Sequence, residues 1–79
     1  MKKPTILVVD DELRLVRLVQ ANLEARGYTV LCAYDGGEAI RKAAVENPDL
    51  IILDIILPGD LDGYDVLRRI RSFSGVPVI

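Results

Sequence analysis

Three aspartates carry the strongest chemistry this sequence can offer. Asp10 and Asp11 follow the apolar run Thr5-Ile6-Leu7-Val8-Val9, and Asp54 follows a second one, Leu50-Ile51-Ile52-Leu53. Both runs are continuous rather than alternating in hydropathy, the pattern of a strand covered on both faces of a parallel sheet. Acids that terminate two such strands converge at the carboxyl edge of one sheet, where open α/β folds place their sites. Carboxylates brought that close repel unless a cation sits among them, and a cluster of hard oxygens suits Mg2+. With the ion in place, an oxygen of Asp54 can attack a phosphoryl group whose charge is neutralised, giving an aspartyl phosphate.

Plainer readings stay open for each acid taken alone. Asp10 and Asp11 also suit a helix N-terminus, as an N-cap or beside the positive helix end. Asp54 also suits the start of an ordinary turn. The combination favours the site.

Other chemistry is narrowed by what the chain contains. It has no His, which removes imidazole metal sites and Ser-His or Cys-His nucleophiles. The single Cys32 cannot form an internal disulfide, and its apolar surroundings fit a small buried hydrophobe. The first apolar run is followed by Asp-Asp-Glu and not by a glycine-rich loop, which disfavours dinucleotide binding and P-loop chemistry. Gly36-Gly37 reads as the entry to a helix. The ten Lys and Arg form no basic run and the net charge is −2, so no nucleic-acid footprint is expected. The apolar stretches are too short to span a bilayer, and Met1-Lys2-Lys3-Pro4 leads into no signal-peptide core, so no membrane association and a cytoplasmic location are expected.

The elements that must position the aspartates are legible from hydropathy. After Asp10-Asp11-Glu12, Val16, Val19 and Leu23 recur at helical spacing, with Arg14, Arg17 and Glu24 on another face and Gly27 as the stop. Tyr28 to Ala33 is rich in strand formers, and Asp35 and Glu38 then have the offset of a capping box. Ala39, Ile40, Ala43 and Ala44 form the apolar stripe of a second helix, Arg41, Lys42 and Glu46 its wet side, and Asn47-Pro48 ends it. A third helix starts near Asp62, buries Val66, Leu67 and Ile70, exposes Arg68, Arg69 and Arg71, and breaks at Ser72-Phe73-Ser74-Gly75. Val76-Pro77-Val78-Ile79 opens a fourth strand. Strands alternating with helices give an α/β class with a parallel sheet. Right-handed crossovers restrict the topology but leave the strand order open. Seventy-nine residues at 51% hydrophobic content make one domain with a thin stability margin.

Four collinear strings then resemble the response-regulator receiver domains of two-component signalling: ILVVDDE at Ile6 to Glu12, AYDGGEAI at Ala33 to Ile40, PDLIILD at Pro48 to Asp54, and LPGDLDGYDVLRRIR at Leu57 to Arg71, with VPVI opening at Val76. The resemblance covers the whole chain, residues 1–79. It implies a doubly wound, flavodoxin-like sheet of order 2-1-3-4-5 and transfer of a phosphoryl group to Asp54 from a histidine kinase, a phosphotransfer protein or a small phosphodonor. It also implies magnesium held directly by Asp11 and Asp54, through water by Asp10, and by the backbone carbonyl of Ile56. Such a module is a phosphoacceptor and not an enzyme in the ordinary sense.

Two departures from the family pattern shape further expectations. Gly59-Asp60-Leu61 is one residue longer than usual, so the loop beside the site is expected to be reshaped. The sequence stops within the fourth strand, at about four strands and three helices, and lacks the family's later Thr or Ser and Lys. A chain truncated there is expected to accept phosphoryl groups slowly or not at all, and to form a homodimer through its open sheet edge. A switch-deficient fragment serving as a structural or dimerisation module is the alternative function. A magnesium-dependent phosphohydrolase is weaker, because those enzymes place nucleophile and acid in an Asp-x-Asp pattern, whereas Asp10 and Asp11 are adjacent.

Overall fold

A computed structural model describes residues 2–79. Among them the chain forms β1 (Thr5–Val9), α1 (Leu13–Ala25), β2 (Thr29–Ala33), α2 (Gly36–Glu46), β3 (Leu50–Leu53) and α3 (Gly63–Arg71). The strands are parallel in the order β2-β1-β3. β1 is central, which is why Ile6, Leu7, Val8 and Val9 are all buried and why its sequence shows no alternation.

Successive residues of β1 face opposite layers. Leu7 and Val9 join Ile51, Ala39, Ala43, Val66 and Ile70 in a core beneath α2 and α3. Ile6 and Val8 meet Val16 and Val30, with Val19 and Leu23 packed alongside, under α1. One helix therefore covers one face and two cover the other. The chain leaves β1 toward β2 on one side and returns past it to β3 on the other, so a topological switch point lies at the carboxyl ends of β1 and β3.

Local chemistry explains the helix ends. After α1, Gly27 takes φ +94° while its N–H donates to Glu24 O at 3.0 Å and that of Tyr28 to Leu23 O at 3.1 Å, the paired bonds of a Schellman stop. Tyr28, expected in the second strand, is therefore part of that stop. α2 closes on Asn47, left-handed at φ 49°, just before Pro48. At its start Asp35 Oδ1 accepts from Glu38 N at 2.8 Å, but Glu38 Oε1 accepts from Tyr34 N and not from Asp35, so the expected box is closed one residue early.

Two details of α2 differ from the helical-wheel expectation. Ala44 is exposed, leaving Ala39 and Ala43 as the buried stripe with Ile40 half-buried. Lys42, expected on the wet side, lays its stem toward β2 and donates from Nζ to Cys32 O at 2.5 Å, with Glu38 at 3.4 Å. β2 is an edge strand, and its free carbonyl row supplies the acceptor.

The expected fourth strand is a single parallel bridge, Ile51 to Val78. Ile51 N donates to Pro77 O, Ile79 N to Ile51 O and Leu53 N to Ile79 O, at 2.9 to 3.0 Å. Pro77 has no N–H to contribute, which thins the ladder. The bridge sets this segment beside β3, continuing the order 2-1-3-4. Three parallel strands between helical layers make the doubly wound, flavodoxin-like fold expected from the sequence.

Candidate functional site

The sheet ladder runs one residue past the strands at the switch point. Asp10 N donates to Ala33 O at 3.1 Å, and Asp54 N to Val9 O at 2.9 Å. Both aspartates are thus pinned by backbone bonds to the central part of the sheet before their side chains reach outward. Asp11 follows at the exposed start of the turn into α1.

These placements bring the three acids together. Asp10, Asp11 and Asp54 each offer a carboxylate oxygen, and the three oxygens lie within 4.8 Å of one another. Asp10 and Asp54 are half-buried and Asp11 is exposed. Among the described residues the salt bridges are Lys42 with Glu38 and Arg68 with Asp65, so none of the three acids is paired with a basic side chain. Two unit charges at this separation repel by roughly 1 kcal/mol in water and about 3 kcal/mol at an effective dielectric of 20.

Neither Asp10 nor Asp11 caps α1. The N-cap is Glu12, which makes no side-chain capping bond. Asp10 Oδ1 accepts from Glu12 N at 2.9 Å, which closes a local Asx turn and fixes the carboxylate's direction. At the other side of the site Asp54 Oδ1 accepts from Ile56 N at 3.2 Å, a second such turn. One oxygen of each carboxylate is held by backbone while Oδ2 takes no hydrogen bond among the described residues. Ile55 and Ile56 are exposed, and Leu57 turns back into the core.

The donor set fits a hard divalent cation. All candidate ligands are oxygens, two are oriented by backbone amides, and the exposed rim leaves room for water, which Mg2+ retains in most protein sites. Three carboxylates this close could hold such an ion directly or through water. Beside Asp10 and Asp54 a cleft of about 200 Å³ opens between α1 and the sheet, walled by Val8, Leu15, Val19 and Ile52.

The loop after Asp54 leads from the acids to α3. Gly59, exposed at φ +88°, takes up the turn. Leu61 then packs over Gly36 at the start of α2, where an added Cβ would lie 2.8 Å from Leu61 Cβ and 2.9 Å from Val66 Cγ2. Asp62 caps α3 by accepting from Asp65 N at 2.9 Å, and Asp65 Oδ2 accepts from Asp62 N at 3.1 Å. Sequence reasoning missed this box because the reciprocating residue is Asp instead of Glu or Gln. It also missed Gly63, buried at the first position of α3, whose N–H donates to Ile55 O at 2.7 Å. The only signal was a glycine directly after a capping aspartate.

Known proteins share this fold. Residues 6–79 match the response regulator receiver domain family. The chain is 56% identical over 67 residues to the alkaline phosphatase synthesis transcriptional regulatory protein PhoP of Bacillus subtilis, covering 85% of this chain and 28% of that protein. Among solved structures it resembles the receiver domain of the Francisella response regulator 1452 (31% identity, TM-score 0.89, 96% of this chain and 63% of that one). It also resembles the Vibrio cholerae chemotaxis protein CheY4 (30%, 0.90, 98% and 66%). A third is response regulator TrrA from Thermotoga maritima in complex with Mg2+-BeF (42%, 0.82, 87% and 59%). The chain spans less than a third of the curated relative and under two thirds of each of these solved chains.

Proposed function

The chain belongs to the response regulator receiver domain family, and on that premise we propose that Asp54 accepts a phosphoryl group in a two-component phosphorelay, at a Mg2+ site made by Asp10, Asp11, Asp54 and the backbone carbonyl of Ile56. The observation that carries the proposal is the convergence of three unpaired carboxylates within 4.8 Å at the switch point.

Magnesium, when bound, neutralises the acids and the incoming phosphoryl oxygens. The protein's own contribution is position. The ladder bond from Asp54 N to Val9 O fixes the root of the side chain, and the Ile56 amide holds Oδ1, which leaves Oδ2 to act as the nucleophile. Oδ2 forms the new P–O bond as the bond to the donor's leaving group breaks, and the leaving group departs with that electron pair. No proton has to move in this step, which suits a site without a general base.

The donors proposed are a sensor histidine kinase, a phosphotransfer protein or a small acyl phosphate, and the compartment is the cytoplasm. No helix among the described residues is long and apolar enough to cross a membrane. Direct nucleic-acid binding is no part of the proposal, given the dispersed Lys and Arg and the net charge of −2. A homodimer remains part of the reading, supported by the exposed Leu15 at the cleft over Val8 and Ile52 and by the exposed Leu18 on the same helix. Light scattering that finds a monomer at high concentration removes that part alone.

TrrA was solved with Mg2+-BeF, and the same pair is a direct probe here. Mg2+-BeF is expected to shift the amide resonances of Asp54 and Ile56 in wild type and to leave Asp54→Asn unchanged. Equal shifts in both proteins would contradict the assignment.

A further inference from the structure

We propose that Gly63 is a positioning residue for the acid site, its bare Cα serving as the seat on which the Asp54-Ile55 peptide rests. The inference depends on the magnesium reading above and deepens it. An added Cβ at position 63 would lie 2.5 Å from Asp54 O, closer still to Ile55 Cα, and 2.9 Å from Ile55 O. All three are backbone atoms with no side-chain freedom to move aside. The backbone of Gly63 is not left-handed, so its need for glycine comes from this contact and not from its own torsion angles.

The contact joins the site to the core through a short path. Val66 and Ile70, both fully buried, fix α3 on the sheet, and the Asp62 and Asp65 box fixes its first turn. Gly63 is the next residue after that cap, and its N–H donates to Ile55 O at 2.7 Å. The peptide it touches begins at Asp54, whose carboxylate accepts the Ile56 amide. A methyl group at 63 therefore has to displace the Asp54-Ile55 peptide or the first turn of α3, and either shift disturbs the spacing of Asp54 and Ile56 from Asp10 and Asp11. Gly36 differs in kind. It too starts a helix and is buried, but its neighbours are chiefly the side chains of Leu61 and Val66.

The test is Mg2+ titration followed by amide resonances, together with urea unfolding, for wild type, Gly63→Ala and Ile70→Val. Ile70→Val weakens the same helix without touching the Asp54-Ile55 peptide. Gly63→Ala is expected to lose about tenfold or more in Mg2+ affinity, and Ile70→Val to stay within about twofold of wild type at a lowered urea midpoint. Wild-type Mg2+ affinity in a folded Gly63→Ala would overturn the proposal. Wild type supplies a second measurement should that variant not fold. The Gly63 amide is expected to titrate with the same Kd as Asp54 and Ile56 while Gly36 stays still, and a Gly63 amide unmoved at saturating Mg2+ would overturn the proposal. No Mg2+ response at Asp10, Asp11 or Asp54 in wild type would instead overturn the magnesium reading and this inference with it. That failure is visible before any variant is made.

Discussion

The backbone N–H of Asp54 donates to the carbonyl of Val9 at 2.9 Å, one step beyond the last paired residues of β1 and β3. Val9 is also the residue before Asp10, whose own N–H bonds across to Ala33. Asp54 and Asp10 are therefore spaced by the sheet's hydrogen bonds and not by a flexible loop. Their close approach is a property of strand register, and it persists with or without an ion at the cost of electrostatic repulsion.

That repulsion gives a prediction of opposite signs. Asp54→Asn keeps Oδ1 as an acceptor for the Ile56 amide but removes one of three clustered charges. In metal-free buffer with chelator it is expected to be more stable than wild type by up to about 1 kcal/mol. In excess Mg2+ the order should reverse, because a site filled to a hundred times its Kd adds about 2.7 kcal/mol to wild type. Urea unfolding with and without chelator checks both. A variant less stable than wild type in chelator would contradict the repulsion.

The helix caps are expected to differ in worth. Asp62→Ala removes the bond from Asp65 N and keeps only the reciprocal one from the backbone N–H at 62 to Asp65 Oδ2, a loss of about 1 kcal/mol within a range of roughly 0.5 to 2. Glu12→Ala removes no side-chain capping bond and should change stability by under about 0.5 kcal/mol. Comparable losses at the two positions in denaturant melts would show that the cap geometry has been misassigned.

Asp65 sets an acid limit. The Asp62 backbone amide first, and then the Arg68 guanidinium, hold its carboxyl below the ordinary value of 3.8. A carboxyl depressed by folding releases its proton more readily in the native chain, so its stabilising effect is full above 3.8 and is lost as pH falls from there through the native value. Unfolding midpoints taken from about pH 6 to pH 3 should fall less steeply in Asp65→Asn than in wild type at the acid end. Parallel curves would contradict this.

Cys32 is expected to be a slow thiol. Burial is the largest cause of its rise above the ordinary 9.0, and the neighbouring Tyr34 and Lys42 only partly oppose it. The thiolate is the reactive form, so alkylation near pH 8 should be slower in the folded protein than in urea, with its midpoint above 9.0. The native chain holds this proton more tightly than the unfolded one, so the associated stability is constant below 9.0 and declines as pH rises through the native value. Equal alkylation rates in the two states would refute the assignment.

The parts legible in the sequence were those governed by local pattern. Continuous apolar runs placed β1 and β3, Gly27 and Asn47 marked helix ends, and the terminal aspartates pointed to one sheet edge. What escaped depends on neighbours distant in the chain. Cys32 was expected to be buried but sits half-exposed on an edge strand, its Sγ 3.5 Å from Gln20 Oε1. Lys42 turned inward because that same edge offers a carbonyl. Gly36 and Gly63 look like ordinary turn glycines until Leu61 and the Asp54-Ile55 peptide are laid against them. Val76 to Ile79 had strand composition, yet ladder pairing reached a single bridge.

Intact mass spectrometry after incubation with acetyl phosphate tests the central assignment most directly. A slow gain of up to one phosphoryl group per chain is expected on wild type, dependent on Mg2+ and absent from Asp54→Asn. Asp54→Asn that gains a phosphoryl group as readily as wild type would contradict Asp54 as the acceptor.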